Sequence, residues 1–511
     1  MNSLNREAIS EAQYEVLCKA CDFLLKEKSF SLERNANSYL HVIREHPIFL
    51  KSYSALFFKG FFSFFIYSGK KLLWYLILGI FKFFHAILRY YILGDRIKKD
   101  SRTFNDVFIS HFLNDSFVNH KSDFYFFDLP SKISKSKKSS LQLYINFSNK
   151  YSNYLDDYDI DKPFASKLLP KYLPLFQELK IRVLLFREAI SILKVKTSSN
   201  FEKRVKYQAA IDSISSTTHS NYRLAISIQQ FIKKNNIKRV FTTYEGHPWE
   251  RLIFAMARKI NPSVVCIGYQ HAILFKKQHA IKRKLEKNFE PDYILFSGKK
   301  GLNSFKAMDY LPSNRLILFG TNRLETKRKK VLNLSSDKKK AFLILPEGDL
   351  IESVPLTKFV LQLALKYPQF QFIFRYHPIT NVNQVIRQCP LLKQNLPNVK
   401  LSNESFTNDL ARAQFVIYRG STTIIKAVQN GLIPLYYQKK NEITIDPLFD
   451  IQQEKINLIS TQDLDLIFNK SLDEFEKSQT KIIEHVNDFF SPINYDEILN
   501  VLKYKHDINS K

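Results

Sequence analysis

The sequence predicts an α/β fold of two tandem parallel-sheet domains, preceded by a helical region. Its 511 residues exceed one ordinary domain. From residue 101 onward, short apolar runs alternate with helical stretches, as expected of parallel α/β sheets. Between residues 55 and 94 the composition becomes strongly apolar without a single Asp or Glu, which marks the N-terminal region as a separate part of the chain.

Composition limits the class of protein further. Hydrophobic residues make up 45% of the chain and aromatic residues 14%, which excludes global disorder. The formal net charge is +29, so anionic partners are expected. Only four cysteines occur, which argues against a disulfide framework and favours a reducing compartment. The N-terminus lacks the basic and apolar pattern of a secretory signal.

The helical region, residues 1–100, contains the acid-free segment of residues 55–94. Its longest uncharged runs, 60–69 and 72–81, are about half the length of a spanning helix. On a helical wheel, Lys71, Lys82 and Arg89 form a basic stripe opposite an apolar surface. We therefore expect an interfacial helix on an anionic membrane, with a true span or hairpin, or an interface with another protein or domain, as alternatives. This predicts a cytoplasmic protein, peripheral on the inner face of a bacterial inner membrane.

The α/β part divides at a charged stretch. We predict a first domain over residues 101–325, a linker over 326–340, a second domain over 341–470 and a helical C-terminal tail over 471–511. The predicted strands of the first domain are Asp106–Ile109, Leu141–Phe147, Val183–Leu185, Arg239–Thr242, Val264–Gly268, Tyr293–Phe296 and Leu316–Phe319. Those of the second are Ala341–Leu345, Phe370–Tyr376, Val399–Leu401, Phe415–Tyr418 and Ile433–Tyr436. Ligands of such folds bind at the carboxyl ends of the strands.

Two polar clusters follow predicted strands of the first domain. After the strand that ends at Thr242, Glu245 and His247 are candidates for proton transfer or acceptor binding. Glu245 is expected in the site, although a helix-capping role is the alternative, and Glu250 is expected to cap the helix. After Gly268, Gln270 and His271 are candidates for hydrogen bonding to a sugar or base, with a buried, satisfied histidine as the alternative.

Two further clusters follow strands of the second domain. Arg375, His377 and Pro378 end a run that is typical of a buried strand, where proline stops the strand and leaves the imidazole free. The other cluster precedes a helix and consists of Arg419, Gly420, Ser421 and Thr422. Hydroxyl and backbone N–H donors at such a turn suit a phosphate, and an ordinary helix cap is the alternative. No Walker A, G-x-G-x-x-G, H-E-x-x-H or G-x-S-x-G pattern is present.

His377-Pro378, then Glu404, then Ser421-Thr422 resemble the motifs of bacterial GT-B glycosyltransferases that use CMP-activated 2-keto sugar acids, such as sialyltransferases and Kdo transferases. The resemblance spans roughly residues 101–470 and implies a GT-B fold with two Rossmann-like domains. It implies that His377 and the hydroxyl pair hold the nucleotide phosphate and that Glu404 holds the ribose. The segments around Glu245 and Gln270 also resemble surface-carbohydrate biosynthesis proteins of capsule and lipopolysaccharide.

The implied reaction transfers Kdo, a sialic acid or a related sugar acid to a growing glycan or glycolipid acceptor. Because the leaving group is a nucleoside monophosphate, we expect no metal and no cofactor. Arg375, His377 and the Ser421 turn would neutralise the departing charge. The sequence lacks the Asp-Asp-Gly-like triplet of sialyltransferases. Glu245 would be the general base of an inverting reaction, or Glu347 or Asp349 the nucleophile of a retaining one.

Other classes of protein explain less of the sequence. Nucleic-acid binding would account for the charge, but the basic runs at 327–330 and 338–340 are not interleaved with a stacking motif, so no nucleic-acid partner is expected. A noncatalytic membrane scaffold would account for residues 55–94 but not for four polar clusters at strand ends. A GT-B transferase using another nucleotide sugar, or an epimerase of that fold, remains the closest alternative.

Overall fold

A computed structural model describes residues 8–92, 103–112, 123–133, 140–147, 164–169, 172–235, 237–322, 340–451, 454–465 and 472–508. The predicted linker, apart from residue 340, lies outside the described residues. Two parallel sheets carry the fold, with helices around each of them. The predicted α/β class with two Rossmann-like domains is therefore confirmed.

The N-terminal region is helical. Its helices are α1 (Glu11–Lys26), α2 (Leu32–Ala36), α3 (Pro47–Leu50), α4 (Ser54–Phe58) and α5 (Phe61–Ile87), and a π-helical turn (Leu88–Ile92) extends α5. Its buried residues, Leu17 and Cys21 of α1 among them, share one core with Val205 and Ala209 of the first domain. All four cysteines are buried and free. The region is thus packed onto the first domain and shares its core.

The first domain has a sheet of seven parallel strands. They are β1 (Asp106–Phe112), β2 (Ser140–Asn146), β3 (Ala165–Leu168), β4 (Arg239–Thr243), β5 (Val265–Gln270), β6 (Tyr293–Phe296) and β7 (Leu316–Leu318). The order is β3-β2-β1-β4-β5-β6-β7. The helices are α6 (Leu129–Ile133), α7 (Leu175–Leu193), α8 (Asn200–Ser213), α9 (Ser216–Lys234), α10 (Pro248–Ile260), α11 (His279–Lys282) and α12 (Lys299–Ala307). The order reverses between β1 and β4, where such folds open a crevice.

One predicted strand of this domain is wrong. Val183–Leu185 lies inside α7. Leu185 points into the core, whereas Val183 is exposed on the opposite side of the helix. Because the outer side of α7 is apolar as well as its inner side, this part of its sequence is a continuous apolar run, which is also the pattern of a buried strand. The structure supplies instead β3, a four-residue strand too short to stand out in the sequence.

The second domain has six parallel strands. They are β8 (Ala341–Leu345), β9 (Gln371–Phe374), β10 (Val399–Leu401), β11 (Phe415–Tyr418), β12 (Ile433–Tyr437) and β13 (Ile456–Leu458), in the order β10-β9-β8-β11-β12-β13. The first five agree with prediction to within two residues, and β13 was not predicted. The helices are α13 (Leu350–Lys366), α14 (Val382–Gln388), α15 (Phe406–Arg412), α16 (Ile424–Gln429), α17 (Leu472–Asn487) and α18 (Asp496–Ile508).

Apolar contacts join the two domains. Ile273 and Phe275, from the loop after β5, are buried in the core of the second domain. In the other direction, Ile498 of α18 is buried in the first domain. Between α17 and α18, the backbone of Ser491 exchanges hydrogen bonds with the first domain. The carboxyl ends of both sheets therefore belong to one continuous structure.

Candidate functional site

In the first domain, the turn after β4 holds Glu245 at the switch point of the sheet. Gly246 makes this turn with φ +83°, and a Cβ atom there would lie 2.4 Å from the backbone nitrogen of Ile281. Only glycine fits both demands. The Glu245 carboxylate lies 3.5 Å from Nε2 of His247 and 3.9 Å from Nε2 of His271, and 27% of its side chain is exposed. The structure thus brings together three of the predicted site residues.

Glu250 caps α10 and fixes the same turn. Its carboxylate accepts hydrogen bonds from the backbone N–H groups of Glu245 and His247, at 2.9 and 2.8 Å. The side chain is buried, and burial raises the pKa of Glu250 to about 7 against the opposing effect of His247. Glu250 therefore lies where a helix cap was expected, while the Glu245 side chain is left for the cleft.

The surroundings drive the charges of Glu245 and His247 in opposite directions. Burial disfavours ionisation of Glu245, but His247, His271 and the charge of Arg44 outweigh it and hold the pKa of Glu245 well below its usual range. Burial likewise disfavours protonation of His247, but the Glu245 and Glu250 carboxylates outweigh it and raise the pKa of His247. The pair is therefore an ionised carboxylate beside an imidazole that titrates above its usual pH.

Sequence analysis missed His111, which lies in the carboxyl-terminal half of β1 beside this pair. Its ring centroid is 5.4 Å from Trp249, 5.9 Å from Tyr125 and 5.0 Å from Phe147. Tyr125 also lies 4.9 Å from His271. The predicted strand stopped at residue 109, so His111 was never considered a strand-end residue. Together these rings form an aromatic wall beside Glu245.

We expect the histidines of this cluster to titrate far apart. Burial, followed by the charges of His271 and His247, lowers the pKa of His111 to about 4, whereas the pKa of His247 lies above 6.5. The stability contributed by protonated His247 is therefore present below pH 6.5 and lost as pH rises through its folded-state pKa. NMR titration of the imidazole resonances measures both values.

The matched variant for this titration is Glu245→Gln. It removes the charge that raises the pKa of His247, so that resonance should titrate at lower pH than in the wild type. An unchanged titration in Glu245→Gln would contradict the assignment of the pair.

Gln270, at the end of β5, is buried and faces away from this cluster. It lines an interdomain cavity of about 410 Å³ together with Ser297, Lys300 and Asp450. A Cβ atom on Gly301 would lie 2.7 Å from its Oε1, so the amide is packed tightly against α12. The predicted pairing of Gln270 with His271 in one sugar site is not what the structure shows, because Gln270 packs against α12 and lines this cavity, whereas His271, the first residue after β5, lies beside Glu245.

In the second domain, Glu347 follows β8 and joins three parts of the chain. Its Oε1 accepts a hydrogen bond from the backbone N–H of Gly420 at 2.9 Å, and its Oε2 lies 2.7 Å from Nε2 of His46. A Cβ atom on residue 420 would lie 2.4 Å from Oε1, so a side chain there would displace the Glu347 carboxylate. Burial opposes ionisation of Glu347, but His46, Arg419 and Arg44 outweigh it and lower its pKa.

His377 and Pro378 lie in the exposed turn after β9. Nδ1 of His377 accepts a hydrogen bond from the backbone N–H of Ile379 at 3.3 Å. This fixes the proton on Nε2, which is then a donor. A Cβ atom on Gly348 would lie 3.3 Å from Nδ1, so the imidazole stands over the Glu347-Gly348 turn. The predicted HP motif is thus adjacent to the Gly420 loop through Glu347.

Arg375 and Glu404 lie on the far side of this turn. The guanidinium of Arg375 pairs with buried Asp409 at 2.8 Å and donates to the backbone carbonyl of Glu404 at 2.7 Å. The Glu404 side chain is exposed and lies near Arg412 and Asn408. Arg375 therefore holds the loop that carries Glu404.

Two of the predicted site residues have structural positions instead. Arg419 is buried, and its guanidinium pairs with Glu352 and Glu442 and donates to the carbonyl of Tyr437. The prediction that Arg419 contacts the donor is therefore corrected. Its buried guanidinium stabilises the loop that begins at Gly420 from inside the domain. Asp349 accepts a hydrogen bond from the backbone N–H of Ile351 at 2.7 Å and is the N-cap of α13.

Ser421 and Thr422 form the surface of that loop. Ser421 is half-buried and Thr422 is exposed, and the two residues precede the six-residue helix α16. The Gly420 N–H group, bonded to Glu347, fixes where this loop begins. Because the strands of this sheet are parallel, the Ser421-Thr422 loop after β11 lies at the same carboxyl edge of the sheet as His377, which follows β9.

The loop of residues 41–46 in the N-terminal region brings two residues to the site that were not among the predicted site residues, His46 and Arg44. His46 bonds Glu347, as described, and its Nδ1 accepts from the N–H of Ile48 at 3.2 Å, so Nε2 is the donor to Glu347. Arg44 stacks on Phe275, 4.6 Å from its ring centroid. Among the described residues, its buried Nε has no hydrogen-bond partner. Its charge lowers the pKa of both Glu245 and Glu347, so it links the two halves of the site.

No metal cluster accompanies these groups in the described ranges: none of their histidines, cysteines and carboxylates form a set of three that could hold an ion. The candidate site is thus an interdomain site of imidazoles, carboxylates, hydroxyls and one guanidinium.

No protein-family model matches the chain, and no curated protein is significantly similar to it. Solved structures are similar at low identity. A UDP-GlcNAc 2-epimerase from Neisseria meningitidis, bound to UDP-GlcNAc, is 13% identical with a TM-score of 0.40, over 74% of this chain and 94% of that one. The lipopolysaccharide outer core galactosyltransferase WaaB is 10% identical with a TM-score of 0.41, over 79% and 100%. Scores this low add nothing to the topology described above.

Proposed function

We propose that the protein is a glycosyltransferase that moves a 2-keto sugar acid from a CMP-activated donor to a surface glycan or glycolipid, at the inner face of the bacterial inner membrane. The observation that carries the proposal is the pairing of two unlike sites. In the first domain, an ionised carboxylate and imidazoles lie in the loops that follow the strands. In the second domain, an exposed imidazole and a loop with two hydroxyl residues lie in the corresponding positions.

The second domain is suited to the donor. His377 offers an Nε2 donor, and Ser421 and Thr422 offer hydroxyls at the same edge of the sheet. Such groups stabilise the phosphate charge that develops as CMP leaves. Arg44 adds a cation near both carboxylates, which suits a donor that carries a carboxylate as well as a phosphate.

The first domain is suited to activating the acceptor hydroxyl. A base works best when its pKa is near the working pH. The lowered pKa of Glu245 makes it a weak base, whereas the raised pKa of His247 is well matched. We therefore assign proton removal to His247 and the orientation and charge stabilisation of the imidazole to Glu245, a refinement of the prediction that Glu245 acts alone.

The occupied oxygens of Glu347 favour inversion. A retaining reaction would need a free carboxylate to attack the anomeric carbon. Both oxygens of Glu347 are engaged, by Gly420 and His46, and Asp349 caps a helix. The proposed mechanism is therefore a single displacement by the acceptor hydroxyl, deprotonated by the His247–Glu245 pair.

We expect CMP and CTP to bind more tightly than UMP or GMP. Calorimetric titration of the full-length protein with all four nucleotides tests this. His377→Ala should weaken CMP binding by about 1.5–3 kcal/mol, the range for a hydrogen bond to a charged group. Lys366→Ala is the matched control, because Lys366 ends α13, at the opposite end of that helix from the Glu347-Gly348 turn, and its ion pair with Asp465 is exposed.

The titration also separates the alternatives. Tighter binding of UMP than of CMP would indicate that the donor is another nucleotide sugar, as used by other transferases or by an epimerase. Absence of binding by every nucleotide would contradict a donor site in the second domain.

A further inference from the structure

We propose that α5 and α7 together form one membrane-docking surface, which lies flat in the interface of an anionic bilayer. This inference does not depend on the proposed reaction. The sequence pointed only to residues 55–94, and the contribution of α7 comes from the structure.

The outer side of α7 is apolar along its whole length. Its exposed residues recur at spacings of three and four, which places them on one face of a helix. They are Phe176, Leu179, Val183, Phe186, Ile190 and Leu193, between 41% and 77% exposed. The buried face of the same helix carries Ile181, Leu185 and Ile192. A helix with two apolar faces needs a second apolar environment besides the protein core.

Arg182 of α7 contacts the second half of α5. The guanidinium of Arg182 stacks on Phe83, 5.2 Å from the ring centroid. Near the end of α5, the Tyr172 hydroxyl lies 3.1 Å from Nδ1 of His85. The outer face of α5 is also apolar, and several of its large side chains are more than half exposed: Phe61, Phe62, Ile66, Leu73, Trp74, Ile80, Phe81 and Phe84. The two neighbouring helices thus expose a patch far larger than isolated surface residues make.

The segment Phe61–Tyr91 is long and apolar enough to cross a membrane, and only 6% of its most apolar window is buried. Its inner face, however, is attached to the protein. Phe64 and Ser68 are buried, and the Lys71 ammonium donates to Gln208 of α8 at 3.1 Å. Contacts with Arg182 and Tyr172 hold its second half. A helix attached along its length lies parallel to the protein surface, which supports docking and not spanning.

These contacts correct one part of the helical-wheel prediction. Lys71 belongs to the basic stripe that was expected to meet lipid headgroups, but it faces α8 and stacks on Tyr39. The apolar face of α5 is opposite, as predicted, and is therefore the side directed outward.

The charges on α7 select the kind of membrane. Its two acids, Glu178 and Glu188, are buried and paired with arginines. Its exposed charges are all basic: Lys180, Arg187 and, one residue past its end, Lys194. Cations bordering an apolar face match the negative headgroups of an anionic bilayer. A second copy of the chain would bring the same positive charges to the contact, which makes self-association the weaker explanation.

The test is co-sedimentation of the full-length protein with vesicles of phosphatidylglycerol and phosphatidylcholine. The variant is Phe176→Ser with Phe186→Ser, which leaves residues 55–94 intact. We expect its partition coefficient to fall about tenfold or more, because two large apolar side chains no longer enter the bilayer. The matched control is Leu365→Ser with Ile459→Ser, two comparably exposed apolar residues of the second domain, and it should bind as the wild type does.

Three results would overturn the proposal. The first is that the α7 variant binds vesicles as tightly as the control variant while it keeps the wild-type melting temperature. Alternatively, alkaline carbonate would fail to extract the wild-type protein, which would indicate a span. Finally, light scattering without lipid would show a dimer that the α7 substitutions dissociate, which would make this face a self-association surface. We expect weaker binding to vesicles of phosphatidylcholine alone, because these lack the anionic headgroups that attract Lys180, Arg187 and Lys194.

Discussion

Glu245→Gln is expected to reduce sugar transfer by about a hundredfold or more while leaving CMP affinity unchanged, the low end of the loss expected for a general-base pair. The amide keeps the shape of the side chain but loses the charge that raises the pKa of His247 and stabilises its protonated form. Glu245 lies in the first domain, so the donor groups around His377 are not touched. Steady-state transfer rates and calorimetric CMP titration on the same preparation measure the two effects.

Glu250→Gln is the comparison variant in the same turn: Glu250 also raises the pKa of His247, but with its own pKa at about 7 it is only partly ionised at neutral pH, so removing its charge changes less. Glu250 accepts backbone hydrogen bonds as a helix cap. Its loss should lower stability by about 1 kcal/mol, with transfer reduced far less than in Glu245→Gln. Normal transfer by Glu245→Gln, or equal losses in both variants, would contradict the assignment of Glu245 to the His247 pair.

The second large effect concerns Arg419, for which the expected loss is of stability. Arg419→Ala removes the partner of two carboxylates, Glu352 and Glu442, of which Glu352 is fully buried. Leaving a buried charge without any partner costs about 3–5 kcal/mol, and this is the upper limit here because Lys439 still pairs with both carboxylates. We therefore expect Arg419→Ala to unfold at markedly lower denaturant concentration, as chemical denaturation followed by circular dichroism would show.

Lys366→Ala is again the control, because its ion pair with Asp465 is exposed and should contribute little to stability. The opposite pattern of effects would support the original prediction that Arg419 binds the donor. If Arg419→Ala kept wild-type stability but lost CMP affinity, Arg419 would contact the donor directly and its buried position would be wrong.

Much of the site could be predicted because parallel sheets place strand ends at one edge. Glu245, His271 and His377 were found by locating residues that follow buried apolar runs, and that rule needs no knowledge of tertiary contacts. Glu250 was assigned to a cap by its position in the first turn of a helix. Three of the five predicted strands of the second domain were legible because each is a short, wholly apolar run: Ala341–Leu345, Phe415–Tyr418 and Ile433–Tyr436.

The remaining residues depend on contacts that local patterns do not encode. His46 and Glu347 are 301 residues apart. No buried apolar run precedes His46-Pro47 as one precedes His377-Pro378, so the strand-end rule does not find His46. Arg419 directly follows a strand, as a ligand-binding residue would, yet its side chain turns toward Glu352. Neither the partner of a side chain nor the face on which it leaves a loop follows from spacing along the chain.

The measurement that tests the proposed function most directly is ³¹P NMR of donor turnover by the full-length protein. CMP-linked sialic acid, CMP-linked Kdo and UDP-GlcNAc are each incubated with the protein, with and without bacterial glycolipid as acceptor. We predict release of CMP from a CMP-linked sugar acid, stimulated by the acceptor and lost in Glu245→Gln. Turnover or epimerisation of UDP-GlcNAc, with both CMP-linked sugars left intact, would contradict the proposal.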